Sequence, residues 1–599
     1  MFQPTGPEMM LFAVLLAGSV IAFWRRFEPV LEKIRAARPD PGFHIAPVGK
    51  RVWDFISEVL LQSKVIRERP LPGLAHAFVF WGFCAFALIT LNHLAQGFAL
   101  GFLHADNWYR YLAAAFAVTV TFAIAGLFIR RFFVKPRWLG ERVSKESGVI
   151  AALIVILMVT FLLGDSRFLW WTHSLALLVF LPLVPHTKHL HLILSPFSIF
   201  LSRGGFANIP PLAGDEDFGL ITGKDVTQIV ALQTFSCVEC GRCTEHCPAN
   251  ATGKLLDPKE IALGVRRYLN EFGPASDQPL IGKHISQEAA FQCTTCGACE
   301  FQCPVGVEHL PIIIGLRRGA VNTGEWQDEP GTKLFLALER NGNALGFAPA
   351  ERDKFIAREQ LPIFDGSQEY CLWLGCMGGY DPRGREIISA FARVMRHLGT
   401  SFGVLQKEKC TGDPARRLGN DLVFQQLAEA NLETLKTGQV KKIVSICPHC
   451  VRTIATDWAE YGHAPTIEHH TEFMARFADK LPKASESVVY HDPCYLGRYR
   501  GVYDEPRKVL GSPIEPERTR ERSFCCGAGG GLAFLGEEKG DRVSHNRARE
   551  LAATGASTVA AACPFCNTML RDGLAAISPT PPKLLDVAEI TAAAISATS

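Results

Sequence analysis

The chain has 599 residues, enough for several domains. Its formal net charge is only +3, so nothing marks a nucleic-acid-binding protein. Of its 19 cysteines only Cys84 lies before residue 230, and grouped Cys-x2-Cys pairs point to metal in a reducing compartment rather than to disulfides.

Apolar stretches at 9–24, 73–103, 111–129, 148–164 and 168–194 predict five membrane spans, since a span needs roughly 17–25 apolar residues. The first stretch lacks a basic leading region and an A-x-A site, and Arg25 and Arg26 follow it. It therefore reads as a retained helix rather than a signal peptide. The loops 25–70 and 130–147 are rich in basic residues, among them Arg35, Lys50, Arg67, Arg69, Arg130, Arg137 and Arg142. The loops near 104–110 and 165–167 carry one arginine each. The positive-inside rule then puts the N-terminus outside and the polar half of the chain in the cytoplasm, which for this chemistry is the bacterial inner (cytoplasmic) membrane. The segment 48–70 predicts an amphipathic helix on the inner surface.

Histidines within spans are functional candidates by default. His76 and His93 lie on the second span, and His173, His189 and His191 on the fifth. His173 and His191 are five turns apart at about 3.6 residues per turn, hence on one face and about 27 Å apart. Antiparallel spans would pair His76 with His191 near the inner face and His93 with His173 near the outer face, as axial ligands of one or two b-type haems. His189 competes with His191, and the alternative is interfacial histidines without metal. GLAHAFVFWGF and WTHSLALLVFLPLVPHTKHLH, with this topology, resemble the gamma subunit of respiratory nitrate reductase over residues 1–200. That resemblance implies haem b and quinone chemistry near the inner haem.

Two cysteine runs follow. Cys237, Cys240, Cys243 and Cys247-Pro248 form the first, and Cys293, Cys296, Cys299 and Cys303-Pro304 the second. Each is the C-x2-C-x2-C-x3-C-P ligand pattern of a [4Fe–4S] cluster, with the fourth cysteine serving the other cluster. One cluster is thus assigned to Cys237, Cys240, Cys243 and Cys303, the other to Cys293, Cys296, Cys299 and Cys247. Zinc ribbons need ligands in two pairs and fit the runs less well. The helix-like LLDPKEIALGVRRYL between the runs resembles the helical ferredoxin domains of respiratory complexes.

After residue 365 two similar blocks follow each other. The first carries Cys376, Cys410, Cys447 and Cys450; the second carries Cys494, Cys525, Cys526, Cys563 and Cys566. Apolar runs such as KIVSI and STVAAA predict buried strands ending at the cysteine loops, with helices such as VFQQLAEANLETLKTG between them. The pattern resembles the cysteine-rich CCG domain of heterodisulfide reductase catalytic subunits and of glycolate, lactate and glycerol-3-phosphate oxidase iron–sulfur subunits. By that resemblance the five cysteines of the second block form the catalytic site and hold a noncubane [4Fe–4S] cluster. The first block has Thr411 where the pattern has a cysteine, so it holds an ordinary cubane or is structural. Cys371 and Cys84 read as packing, and GAGGG at 527–531 as backbone room beside a cluster rather than a nucleotide loop.

The expected fold is therefore multidomain. An all-α five-helix transmembrane domain (1–205) precedes an α-helical two-[4Fe–4S] ferredoxin domain (206–330) and two α/β cysteine-rich repeats (331–480 and 481–599). The whole arrangement, with TGDPARRLGN in the first repeat, resembles fused membrane iron–sulfur proteins of the electron-transfer flavoprotein:menaquinone oxidoreductase type. The resemblance implies reduced electron-transfer flavoprotein as cytosolic donor and menaquinone as acceptor. The rivals are a menaquinol-dependent heterodisulfide-type reductase and an electron-conduit subunit of a larger respiratory complex.

Overall fold

The computed structural model describes residues 3–104, 107–135, 145–164, 166–214, 216–483, 486–537 and 539–598. Arg137 and Arg142 of the second basic loop lie outside the described residues. Among the described residues, five helices are long and apolar enough to cross a membrane: α1 (Gly6–Ala36), α2 (Pro70–Gln96), α3 (Trp108–Ile129), α4 (Glu146–Leu163) and α5 (Arg167–His186). Large apolar side chains such as Leu11, Phe83, Phe122 and Leu163 point outward from the bundle, a surface suited to lipid rather than water. Inside, small residues let the helices approach. A Cβ on Gly82 would lie 2.4 Å from Val120 Cγ2. Ser19 Oγ donates to Leu178 O at 2.6 Å, which joins α1 to α5.

Four membrane expectations change. The second apolar stretch predicts a helix to 103, but α2 ends at Gln96, and Asn92 Oδ1 accepts from Phe102 and Leu103 N–H, turning the chain back. The fifth stretch predicts a helix to 194. With Pro182 and Pro185 inside it, α5 ends at His186; a 3₁₀ turn over Lys188–Leu190 follows, and a separate helix, His191–Phe200, begins. His173 and His191 are therefore on different helices. The surface segment 48–70 is broken into helical pieces Val48–Asp54, Phe55–Leu60 and Ser63–Glu68, with Gln62 left-handed at the break. Cys84, expected to pack, is exposed on the outer face of α2.

The helix α1 has 31 residues, about 46 Å, against a hydrocarbon core of about 30 Å. Its C-terminal end leaves the bundle and meets the next domain, where Lys33 Nζ donates to Asn270 Oδ1 at 2.9 Å. The firmer junction is ionic. Arg203, 6% exposed, donates to Glu308 Oε2 at 2.6 Å and pairs with Asp40, which also accepts from Thr227 Oγ1 at 2.7 Å.

The ferredoxin region is helical, and the run between its cysteine loops forms the helix Pro258–Glu271 behind an Asp257 N-cap. The last part holds two parallel sheets. One has strand order β2-β1-β3-β4, from β1 (Tyr370–Trp373), β2 (Phe402–Gly403), β3 (Lys442–Ser445) and β4 (Thr466–His469). The other has order β5-β6-β7, from β5 (Val488–His491), β6 (Thr558–Ala561) and β7 (Lys583–Asp586). Alternate residues on each strand point to opposite faces. Leu372, Val444, Tyr490 and Ala560 enter one core shared by both sheets. That shared core makes the two repeats one body, and KIVS and TVAA are strands, as their apolar character predicts.

Replacing Arg203 by Met leaves Asp40 and Glu308 buried and uncompensated, at a cost of about 3–5 kcal/mol. The thermal unfolding midpoint in detergent is expected to fall, and Glu308→Gln added to Arg203→Met is expected to recover part of it.

Candidate iron–sulfur and histidine sites

Each ferredoxin loop turns through two left-handed residues, Glu239 and Gly241 in the first and Thr295 and Gly297 in the second. Those turns point backbone N–H groups inward, a concavity suited to an anionic group. The loops bring Cys237, Cys240 and Cys243 together with Cys303, and Cys293, Cys296 and Cys299 together with Cys247. The two sets adjoin, with Cys243 among the neighbours of Cys299. Burial pushes Cys303 up to about 11, and Cys293 to about 11 against the pull of Arg317. Thiols this buried ionise readily only with a strong positive partner, and a coordinated metal deprotonates a thiol outright.

In the repeats the cysteines sit at the C-terminal ends of parallel strands, where open sheets collect their sites. Cys376 follows β1, Cys447 follows β3, Cys494 follows β5 and Cys563 follows β6. In the first repeat Cys376, Cys410, Cys447 and Cys450 line one cavity with Thr411. Thr411 Oγ1 stands 3.9 Å from Cys450 Sγ. His449 and Asp413 share that cavity at 2.9 Å. Burial would lower the His449 pKa, but Asp413 overrides it and raises it. Cys371 is buried in β1, outside the cavity.

In the second repeat Cys526 and Cys566 Sγ are 3.2 Å apart. Cys525 contacts Cys494 and Cys526, and Cys563 neighbours Cys526 and Cys566. Cys525 also contacts Cys296 of the ferredoxin region. The glycines of GAGGG permit that contact. At Gly530, φ is +67° and a Cβ would lie 2.1 Å from Cys293 O; at Gly529 a Cβ would lie 2.3 Å from Thr294 O. The loop does provide backbone room, as its composition predicts; the neighbour it makes room for is the second ferredoxin loop.

Two buried arginines beside this contact were not read from the sequence. Arg317 donates to Ala290 O, Cys293 O, Arg417 O and Gly530 O, between 2.7 and 3.1 Å. Arg498 donates to Cys296 O at 2.8 Å and to Glu521 O and Ser523 O. Arg498 lies four residues after Cys494 in CYLGR, a local signal; Arg317 has none, because its partners come from three distant segments.

The histidines lie at two levels of the bundle. His93 and His173 stand ring to ring with centroids 4.5 Å apart. His93 Nε2 pairs with Ser174 Oγ at 2.8 Å, and His173 Nδ1 with Thr160 Oγ1 at 2.8 Å. At the other level His191 is among the neighbours of His76, whose Nδ1 is buried without a hydrogen-bond partner among the described residues. His191 Nδ1 pairs with Lys188 O at 2.9 Å, while His189 Nδ1 faces Thr187 Oγ1, also at 2.9 Å, with its ring centroid 6.1 Å from that of His191. Both histidines remain within reach of His76. Arg69, at the start of α2, pairs with Glu245 of the first ferredoxin loop, so Cys240 lies against this level of the bundle.

A membrane bundle joined to buried multi-cysteine sites defines a membrane-bound iron–sulfur oxidoreductase. The 4Fe-4S dicluster domain family matches residues 233–307, and the cysteine-rich domain family, CCG, matches 370–455 and 488–571. The "Probable iron-sulfur-binding oxidoreductase FadF" of Bacillus subtilis is 33% identical over 86% of this chain and 87% of its own length. The "EtfAB:quinone oxidoreductase" of Syntrophomonas wolfei is 30% identical over 97% of this chain and 96% of its own. One polypeptide of the "Dihydromethanophenazine:CoB--CoM heterodisulfide reductase" of Methanosarcina barkeri is 30% identical over 59% of this chain and 92% of its own. The chain belongs to the family of iron–sulfur oxidoreductases to which the first two of these relatives belong.

Gly530→Ala combines backbone strain with a clash against Cys293 O, whereas Gly501→Ala, at φ +73° with nothing within 4 Å of the new Cβ among the described residues, meets strain alone. Gly530→Ala is expected to cost about 1–3 kcal/mol more than Gly501→Ala. Hydrogen exchange should show lost protection at residues 293–299 in Gly530→Ala only.

Proposed function

We propose that this protein oxidises a reduced cytosolic carrier, electron-transfer flavoprotein, and delivers the electrons to menaquinone in the bilayer. One observation carries the reading: the candidate groups form an ordered series. His76 and His191 are followed by Cys240 and its partners, then by the set around Cys296, then by Cys525. When bound, two cubane clusters, a noncubane cluster on Cys494, Cys525, Cys526, Cys563 and Cys566, a further cubane on Cys376, Cys410, Cys447 and Cys450, and one or two b haems would supply one-electron carriers. The full-length relative named EtfAB:quinone oxidoreductase supports flavoprotein as donor and a quinone as acceptor.

The chain's own residues suit these groups. The cysteine sets converge, all of their members but Cys237 and Cys240 are buried, and the first repeat's four cysteines line one cavity. His76 with His191 would hold the inner haem, with His189 as the competing ligand. His93 with His173 would hold the outer one. As they stand, the His93 and His173 rings are 4.5 Å apart and His93 Nε2 is taken by Ser174 Oγ, so this pair fits a haem between its rings less well than the inner pair does. Menaquinone is assigned to the inner level, beside His189 and Lys188, whose Nζ is buried without a hydrogen-bond partner. The positive-inside pattern makes this level cytoplasmic.

The complete five-cysteine set and the heterodisulfide reductase relative favour a second reading, in which quinol drives disulfide cleavage at the second repeat. Purified protein mixed with reduced electron-transfer flavoprotein and a menaquinone analogue separates the two. Quinone reduction by the flavoprotein is expected; no reduction of haem or quinone, together with rapid quinol-driven disulfide cleavage, would overturn the first reading. His76→Ala is expected to remove the inner haem absorbance. If His93→Ala leaves haem content unchanged, the protein holds only the inner haem.

A further inference from the structure

His491 is the last residue of β5, three residues before Cys494, and is fully buried. One of its ring nitrogens lies with Cys526 Sγ and Cys566 Sγ in a group whose atoms are all within 4.8 Å of one another. Its two nitrogens are not equivalent. Nδ1 faces Arg547 Nε at 3.1 Å. A guanidinium N–H can only donate, so Nδ1 is the acceptor. The ring proton is then on Nε2. Nε2 is buried and has no hydrogen-bond partner among the described residues. Arg547 is itself fully buried and held by Glu550 at 2.9 Å and by Arg518 O at 3.0 Å, so the tautomer is fixed from behind.

A buried N–H without an acceptor costs about 1–3 kcal/mol. The acceptors at hand are the sulfurs of Cys526 and Cys566. We propose that in the cluster-bound protein His491 Nε2–H becomes an N–H···S donor to the thiolates of Cys526 and Cys566, a positioning residue that raises the reduction potential of the five-cysteine site. The physical basis is that a donor to cluster sulfur stabilises the more negative, reduced state more than the oxidised one. The same geometry excludes His491 as an iron ligand, because the lone pair such a bond needs is occupied by the proton. At the equivalent place in the first repeat stands a different N–H donor. Trp373 ends β1, three residues before Cys376, and its Nε1–H is likewise buried without a partner.

The inference rests on the five-cysteine cluster reading, and the experiment separates the two. Holoprotein purified anaerobically with 15N-labelled histidine is examined by pulsed EPR. A weak nitrogen coupling at the cluster that depends on Cys526 and Cys566 is expected. His491→Leu is expected to abolish that coupling, leave iron content unchanged and lower the reduction equilibrium constant about tenfold, which is about 59 mV for one electron. His491→Gln, which keeps an N–H, is expected to restore part of the shift. No nitrogen coupling in the unsubstituted protein, or an unchanged potential in His491→Leu, overturns the donor role. A strong, directly bonded coupling with iron lost in His491→Leu overturns it in favour of ligation. A cluster signal indifferent to Cys526→Ser and Cys566→Ser overturns the five-cysteine reading itself. The measurement on unsubstituted protein decides the matter even if His491→Leu does not fold.

Discussion

The arrangement of the redox half depends on one buried guanidinium. Arg317 is fully buried and has no carboxylate among its hydrogen-bond acceptors, which are four carbonyls from three separate regions: Ala290 and Cys293, Arg417, and Gly530. Burial lowers its pKa, and Cys293 is the largest opposing influence. An arginine stays charged even so. Taking that charge out of water costs several kcal/mol, so the net contribution to stability is small. What the residue fixes is position. Its planar fork has donors in set directions, and three chain segments must meet at fixed angles to satisfy all of them. The contact of Cys296 with Cys525 is held between Arg317 on one side and Arg498 on the other.

That rigidity extends toward the membrane. Arg203, Asp40 and Glu308 join the loop after α1, the segment after the last membrane helix and the second ferredoxin loop. Glu68 adds a second tie, accepting from Gln302 at 3.2 Å and pairing with Arg522 at 3.1 Å. The bundle, the ferredoxin region and the second repeat are thus fastened by buried or half-buried charge at their junctions. Removing one partner of such a junction is costly because the other charge is left behind. A series of redox sites needs this more than it needs stability, since its spacing must survive thermal motion.

How much of this the sequence revealed depends on the range of each interaction. The cysteine runs, the helix Pro258–Glu271 and the strands β3 and β6 were legible, because spacing, capping and apolar periodicity are local. The limits of the fifth span were not. Hydropathy continues past His186, but Pro182, Pro185 and the Thr187 turn end the helix there, so the five-turn phase argument for His173 and His191 does not describe their placement. The segment 48–70 has the composition of one surface helix, yet the chain turns left-handed at Gln62, whose buried side-chain amide donates to Val59 O at 2.7 Å, and the helix breaks there. The bond from Arg317 to Gly530 and the contact between Cys296 and Cys525 were invisible for the same reason: the two sides lie over two hundred residues apart in sequence.

The two repeats show what a duplicated scaffold does when its sites diverge. Thr411 stands where the second repeat has Cys526, Asp413 where it has Ala528, and His449 where it has Phe565. The first site has thus exchanged a thiol for a hydroxyl and gained a buried imidazole–carboxylate pair. It has not decayed into ordinary core. Its four cysteines still converge, and residues of the second repeat wall it: Tyr495 stacks on His449 at 3.7 Å between centroids, and Phe565 packs against the same ring at 5.2 Å. Tyr495 reaches on to Thr295 Oγ1 at 2.8 Å, within the second ferredoxin loop. Because Tyr495 adjoins Cys494 and Phe565 lies between Cys563 and Cys566, any movement of the five-cysteine site is felt in the walls of the four-cysteine one. The substitutions at 411, 413 and 449 therefore changed the polarity of one site while leaving in place the packing that both sites share.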